Sequence, residues 1–310
     1  MSLAIIGLRD MAYENQIHQN QIDKKCLLKS GYLNYHHKGQ GEKVLLVMGF
    51  MARGRAWHRQ FEALSESYEV VCYDHRGIGD SSENPASSME ELAQDALDLM
   101  DHLKWDKAHI VGISMGGMIA QYIATLAQER CLSLTLIATH AGGFEKGLTR
   151  VFPKWQGLPL FLKAQFSKSI EHRFLALSHL LLTQDYLKNQ GIFNRSLAEI
   201  QHIDAWREIC ARLADDFTPK PPFKTRFAHI KAIFKHHQNR LHTLNLPTLI
   251  IQPKEDLLVN PKHSEDLKRK IPHAELISVK AGHGVIREIP QEINQALLKH
   301  FKSAIEKTDA

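Results

Sequence analysis

The stretch Gly112-Ile113-Ser114-Met115-Gly116 constrains the fold of this chain more than any other part of the sequence. Apolar and β-branched residues before it predict a buried strand, and apolar residues at helical spacing after it predict a helix. A serine flanked by glycines at such a junction has the G-x-S-x-G pattern of a nucleophile elbow. Glycines suit this turn because they let neighbouring backbone pass close by while the serine adopts an unfavourable conformation. The pattern predicts a nucleophilic serine, and the alternative is a packing turn with an inert serine.

Predicted strands and helices alternate along most of the chain. Most of the strands are continuously apolar, which is typical of a parallel sheet covered by helices on both faces. The predicted strands are 25–28, 32–36, 43–48, 69–73, 109–112, 132–138, 247–251 and 274–279. Helices are predicted at 56–65, 88–103, 261–269 and 291–305, the second with a capping box formed by Ser88 and Glu91. The fold class is therefore α/β.

The segment 143–243 differs from the rest of the chain. It has helical periodicity and no convincing strand, and it holds 16 Lys and Arg against 8 Asp and Glu in a chain of net charge +5. We interpret it as a helical insertion, or cap, in a core formed by 25–142 and 244–310. A separate helical domain unrelated to the site is the alternative. Residues 1–24, polar and rich in Gln and Asn, are expected to form an N-terminal extension.

The cap also carries several aromatic side chains. One interpretation is an apolar substrate pocket whose mouth attracts anions. The interpretation we favour is that the aromatic residues form the cap's own core, with Lys and Arg on its solvated face. On that interpretation we expect no nucleic-acid partner. The aromatic residues concerned are Phe152, Trp155, Phe161, Phe166 and Phe174.

Composition limits the class of protein. The apolar fraction of 44% and the charged fraction of 24% are ordinary for a globular protein. The four cysteines are widely separated and lack a C-x-x-C pair, which argues against a disulfide framework or a zinc ribbon and suits a reducing compartment. We find no secretory signal and no run of the roughly 20 apolar residues that a membrane span needs. We therefore expect a cytoplasmic protein without stable membrane insertion, and the sequence leaves a homodimer open.

A serine nucleophile needs a base that a third group orients, and backbone amides that hold the oxyanion. His283 lies between two glycines after the last predicted strand, and Asp256 follows the strand before it. Glu255 is the alternative carboxylate, and we favour Asp256 because its spacing from the strand end fits better. The N–H groups of Met115, directly after the serine, and of Phe50, after the strand 43–48, are the predicted oxyanion donors.

Four motifs in order resemble the α/β-hydrolase superfamily, in the form with one core and a helical cap. They are VMGFMARGRAW at 47–57, DHRGIGDSS at 74–82, GISMGG at 112–117 and GHGVIREIP at 282–290. The resemblance implies a mostly parallel eight-stranded sheet covered by helices and a catalytic triad in the order Ser114, Asp256, His283. It also implies substrate contacts from Gly49 and Trp57.

The resemblance has one departure. Met48 stands where the family usually has a histidine, which puts that side chain's hydrogen bonding in doubt but not the backbone donor. Asp74 and Arg76 match a segment that is structural rather than catalytic in the family. Dehalogenases and epoxide hydrolases of this fold use aspartate at the nucleophile position, so Ser114 excludes their chemistry.

These residues predict a serine hydrolase that cleaves a carboxylic ester, thioester or lactone, acting on a small molecule. Enol-lactonases, aminoacrylate-type amide hydrolases and cofactor-free perhydrolases share the motifs and stay as alternatives. A ligand-binding receptor or scaffold with a retained triad is the alternative from another class. We expect no cofactor and no metal, since the chain lacks a dinucleotide loop, a P-loop and a metal-ligand cluster. The adjacent His236 and His237 are interpreted as solvated residues of a helix.

Overall fold

Eight strands form one sheet in the computed structural model, which describes residues 24–142 and 155–308. The order across the sheet is β1-β2-β4-β3-β5-β6-β7-β8. Strand β2 pairs antiparallel with β1 and β4, and all other pairs are parallel. The strands are β1 (Lys24–Leu28), β2 (Gly31–Lys38), β3 (Lys43–Val47), β4 (Glu69–Tyr73), β5 (Ala108–Ile113), β6 (Cys131–Ile137), β7 (Thr248–Pro253) and β8 (Glu275–Val279). The predicted α/β fold with a mostly parallel eight-stranded sheet is confirmed.

Helices cover the sheet and fill the long connection between β6 and β7. In the described part of the chain they are α1 (His58–Leu64), α2 (Met89–His102), α3 (Met115–Leu126), α4 (Gly157–Phe166), α5 (Ile170–Leu181), α6 (Gln184–Asn189), α7 (Leu197–Ile200), α8 (Asp204–Phe217), α9 (Phe223–Lys235), α10 (Lys262–Lys270), α11 (Val285–Glu288) and α12 (Pro290–Thr308). None of these helices is both long and apolar enough to cross a membrane. Residues 1–23 of the predicted extension 1–24, and residues 143–154 with Phe152, lie outside the described residues, while Lys24 is the first residue of β1.

The sheet separates two apolar layers. In β3, Leu45 and Val47 belong to the layer with α2 and α3, while Val44 and Leu46 belong to the layer with α1 and α12. Successive side chains of a strand point to opposite faces, so a strand covered on both faces must be apolar throughout. Cys72 is buried in the second layer, and all four cysteines are free.

The predicted cap on α2 differs from the observed one in a single contact. The Ser88 hydroxyl accepts a hydrogen bond from the Glu91 N–H at 3.1 Å, as expected of an N-cap residue. The Glu91 carboxylate, however, accepts from the Ser87 N–H rather than from Ser88. The N–H group that Glu91 binds in the capping box is therefore that of Ser87, one residue before the predicted Ser88.

Helices α5–α8 share a small apolar core of their own. Phe174, Leu187, Trp206 and Leu213 are buried in it. The interpretation of His236 as solvated is wrong. His236 follows the last residue of α9, is 2% exposed, and lies within 2.9 Å of the carbonyl oxygen of His140, to which its Nε2–H donates. Burial lowers the pKa of His236 to about 4.

Buried charges support the loops at the carboxyl ends of the strands. The Asp74 carboxylate accepts hydrogen bonds from the N–H groups of Gly54 at 2.7 Å and Asp80 at 3.0 Å. The Arg76 Nε donates to the Asp95 carboxylate of α2 at 2.7 Å, and both side chains are almost fully buried. Arg76 also lies 3.9 Å from the exposed Glu91 carboxylate, so Asp95 is its close and buried counterion, and losing one partner of such a buried pair is costly.

This pair makes a stability prediction. Asp95→Ala leaves the Arg76 guanidinium buried without its carboxylate, so we expect the free energy of unfolding to fall by about 3–5 kcal/mol. Asp101→Ala, on the same helix, removes an exposed carboxylate that pairs with Arg130, and we expect a loss of about 1 kcal/mol or less. Urea unfolding of the two variants measures both values. Equal losses would contradict a special role for the buried pair.

Candidate active site

Ser114 sits in a strained turn between β5 and α3. Its φ of 55° and ψ of −122° are unfavourable for a residue with a β-carbon, at a cost of about 1–3 kcal/mol. Two hydrogen bonds hold this backbone: the Ser114 N–H donates to the Ile137 carbonyl at 2.9 Å, and the Thr139 hydroxyl donates to the Ser114 carbonyl at 2.7 Å. The turn ends β5 and starts α3 at once, as the G-x-S-x-G pattern predicts.

The elbow glycines are required by backbone packing. A β-carbon on Gly112 would collide with the carbonyl oxygen of Gly116, and one on Gly116 would collide with the carbonyl oxygen of Val47 at the end of β3. On the other side of the serine, a β-carbon on Gly49 would lie 3.1 Å from the Ser114 β-carbon. Three chain segments therefore meet closely around Ser114: Gly112 and Gly116 leave no space for a β-carbon, and one at Gly49 would require a shift of a few tenths of an ångström.

Asp256 and His283 are hydrogen-bonded to each other. The distance from His283 Nδ1 to Asp256 Oδ2 is 2.7 Å, and the two residues are 5% and 1% exposed, respectively. The other carboxylate oxygen of Asp256 accepts from the N–H groups of Leu258 at 2.7 Å and Val259 at 2.8 Å. The carboxylate is thus held in one orientation by its own loop. Glu255 is more exposed, and its N–H donates to the Ala281 carbonyl.

The loop that carries His283 is tied to the cap helices. The Gly284 N–H donates to the carbonyl of Leu181, the last residue of α5, at 2.7 Å. Glu288 accepts from the N–H groups of Gly282 at 3.0 Å and Thr183 at 3.2 Å, so one carboxylate bridges the histidine loop and the insertion. The position of His283 therefore depends on both parts of the chain.

The predicted oxyanion residues come from the start of α3 and from the loop after β3. Met115 is the first residue of α3, so its N–H is one of the first helix amides, which lack an intrahelical acceptor. Phe50 follows Gly49 in the loop after β3. Gly49 and Phe50 line the same cavity as Ser114 and His283.

A histidine that the sequence did not single out supports this loop. His75 is 1% exposed, and its Nε2–H donates to the Met48 carbonyl at 2.8 Å. Its ring meets that of His229, from α9, which in turn meets the ring of Phe50. Burial lowers the pKa of both histidines, that of His229 to about 3. No spacing signal distinguishes His75 from the many other histidines of the chain.

A mostly apolar cavity opens beside Ser114 and His283. It contains about 850 Å³ of space, including open solvent at its mouth. Its walls come from the core and from the insertion, and its described charged or amide-bearing lining residues are Gln165, Arg173 and Arg287. Gly49 lines this cavity, and its contact with substrate stays a prediction.

The expectation that Trp57 contacts substrate is wrong. Trp57 is fully buried in the apolar layer with α1 and does not line the cavity. It belongs to the 3-10 turn Gly54–Trp57, which directs this indole into the core beneath the loop. Its role is to fill the core.

The two interpretations of the cap's aromatic residues are that they form the cap's own core or that they line a substrate pocket, and the structure has one example of each. Phe174 belongs to the cap's own core, while Phe161 lines the cavity. Trp155 and Phe166 belong to neither, since they are 81% and 73% exposed.

Within the described ranges, no group of three or more His, Cys, Asp or Glu side chains is arranged to hold a metal ion.

Comparison with known proteins places the chain in a family. The family model for the alpha/beta hydrolase fold matches residues 43–288 of the sequence. The chain therefore belongs to that family of enzymes. RutD of Azorhizobium caulinodans, which carries the name of a carbamate hydrolase, is 29% identical over 272 residues, covering 86% of this chain and 93% of that protein.

Solved structures share the fold. The enol-lactonase from Burkholderia xenovorans gives a TM-score of 0.71 at 22% identity, covering 90% of this chain and 100% of that one. A thermophilic esterase from Thermogutta terrifontis gives 0.70 at 23% identity, covering 91% and 98%. At these identities the structures establish a common fold and no common substrate.

The elbow makes a second prediction. Gly116→Ala places a methyl group against the Val47 carbonyl, so the start of α3 must move away from β3. We expect a loss of about 1–3 kcal/mol in the free energy of unfolding, together with slower labelling of Ser114 by a fluorophosphonate probe. Unchanged stability and labelling would show that the turn accommodates a β-carbon.

Proposed function

We propose that this enzyme is a serine hydrolase that cleaves a carboxylic ester, thioester or lactone through Ser114, His283 and Asp256. The observation that carries the proposal is the buried 2.7 Å hydrogen bond that links Asp256 to His283, which lines the same cavity as the strained Ser114. A nucleophile at an elbow, a histidine and an orienting carboxylate are the three groups that acyl transfer requires.

Each residue has a step in the proposed reaction. The Nδ1–H of His283 donates to Asp256, which leaves Nε2 to accept the Ser114 proton as the serine oxygen attacks the substrate carbonyl. The N–H groups of Met115 and Phe50 stabilise the oxyanion that forms. The protonated histidine then gives its proton to the leaving alcohol, thiol or lactone oxygen. Water, activated by the same base, releases the acid from Ser114.

The fixed Asp256 carboxylate explains how the histidine is held ready. Two backbone N–H groups occupy Oδ1, so Oδ2 is the oxygen that faces His283. Asp256 and His283 are buried, which strengthens the attraction between the carboxylate and the imidazolium that forms during the reaction. The pair therefore favours proton transfer from Ser114.

A carbamate or amide is the second candidate for the cleaved bond. The observation in its favour is the 29% identity to RutD across 86% of this chain. The same three residues would act, with an amine in place of the alcohol as leaving group. Parallel turnover assays on matched ester, carbamate and amide substrates decide between the two bonds.

A fluorophosphonate probe tests the nucleophile. We expect labelling of the wild type and of Ser87→Ala, which alters an exposed serine, and no labelling of Ser114→Ala. Absence of labelling in the wild type would overturn the proposed mechanism. Labelling without turnover of any ester, carbamate or amide would instead favour a receptor with a retained triad.

The choice of carboxylate makes a separate prediction. In Asp256→Asn the amide no longer serves as a charged acceptor for Nδ1–H, so the histidine adopts the wrong tautomer and kcat falls on the order of 10²–10⁴-fold. Glu255→Gln, which changes the neighbouring carboxylate in the same way, should retain kcat within about twofold of the wild type. Steady-state kinetics on a nitrophenyl ester measure both. A larger loss in Glu255→Gln would mean that Glu255 orients the histidine.

A further inference from the structure

The cavity beside Ser114 is lined by two guanidinium groups, Arg173 and Arg287, and by no carboxylate among its described lining residues. The rest of the lining is largely apolar, with residues such as Phe161, Leu177 and Phe217. A charged group in an apolar wall is costly unless an opposite charge compensates it.

The two arginines differ in what compensates them. Arg287 forms an ion pair with the buried Asp216. Arg173, near the start of α5, makes one long hydrogen bond of 3.4 Å from Nη2 to the Phe217 carbonyl, and its guanidinium lies 5.3 Å from the centre of the Phe174 ring. Its Nε is buried without a hydrogen-bond partner, and no Asp or Glu of the described ranges pairs with it. Within residues 24–142 and 155–308, the charge of Arg173 therefore lacks a counterion.

Neighbouring side chains add to this positive charge. Burial and the nearby Arg226 guanidinium lower the pKa of Arg173, and burial, Arg226 and Arg173 lower the pKa of Lys220. The Lys220 ammonium donates to the backbone carbonyl of Gln165 rather than to a carboxylate. The charged neighbours of Arg173 are therefore cations themselves, which do not compensate its charge, and of these three residues only Arg173 lines the cavity.

We propose that Arg173 binds a free carboxylate of the substrate, so that the molecule cleaved at Ser114 is an ester or lactone carrying a second carboxyl group. The planar guanidinium matches a carboxylate with two parallel hydrogen bonds and would give the buried charge its missing partner. This inference rests on the proposed function of Ser114.

The apolar lining limits the rest of the substrate. Because Phe161, Leu177 and Phe217 offer no polar side-chain atoms, the part of the molecule between the two carbonyl carbons should be hydrocarbon. Hemiesters of simple dicarboxylic acids, and lactones with a carboxylate on a short chain, meet this requirement.

The test compares matched esters. Nitrophenyl hemiesters of succinate, glutarate and adipate are assayed beside esters of equal length in which an isopropyl group replaces the carboxylate. We expect the wild type to have the higher kcat/KM for one of the hemiesters. We expect Arg173→Gln to lower the ratio of kcat/KM between that hemiester and its isostere by about 10- to 100-fold, mainly through KM. Arg173→Lys should retain part of the preference.

Arg226→Gln is the matched control, because it removes an equal charge near Arg173 from a residue that does not line the cavity. We expect this variant to retain the ratio. An unchanged ratio in Arg173→Gln, or an equal fall in Arg226→Gln, would overturn the inference, the second by showing a general charge effect without a specific contact.

The two proposals fail in different ways. The first case is that the probe labels Ser114 and the neutral isosteres are hydrolysed, but no preference for a hemiester depends on Arg173. The proposed carboxylate subsite is then wrong, and the proposed serine hydrolase activity is unaffected. If the probe labels nothing and no ester turns over, the hydrolase itself fails. Calorimetric titration of the hemiester into Ser114→Ala gives a readout without turnover, and we expect Arg173→Gln in that background to weaken binding at least about tenfold.

Discussion

The close approach of three backbone segments around Ser114 is the constraint on which the rest of the structure depends. The first turn of α3 packs directly on the end of β3, and Gly112 and Gly116 are the residues that allow it. The positive φ of Ser114 follows from this packing, and hydrogen bonds to Ile137 and from Thr139 hold it. The same approach sets the first amides of α3 beside the loop after β3, where Gly49 passes close to the serine.

The parallel sheet then brings distant residues to one place. Ser114, Asp256 and His283 follow β5, β7 and β8, and the carboxyl ends of parallel strands share one edge of the sheet. The Asp256 loop satisfies one carboxylate oxygen internally and leaves the other for His283. In the described structure the chemical groups therefore come from the core.

The insertion contributes the opposite wall of the cavity and part of its support. Gly284 and Glu288 connect the histidine loop to the last residue of α5 and to the turn that follows it. His229 of α9 packs against Phe50. The same insertion carries Arg173, Gln165 and Phe161 into the cavity. The proposed catalytic residues thus come from the core, and the insertion supplies Arg173 of the proposed carboxylate subsite.

The sequence by itself determined the α/β class, the strand order in the chain and the positions of Ser114, Asp256 and His283, because strand patterns, glycine positions and residues at strand ends are local properties. It did not determine which side chains face the cavity. Trp57 follows a motif loop and yet fills the core, and His236 is buried although its neighbour His237 is exposed. His75 and Arg173 have no distinguishing spacing, and their significance comes from the Met48 carbonyl and from the absence of an acid beside Arg173 in the described structure. Burial and charge compensation depend on contacts between residues far apart in the chain, so only the tertiary structure decides them.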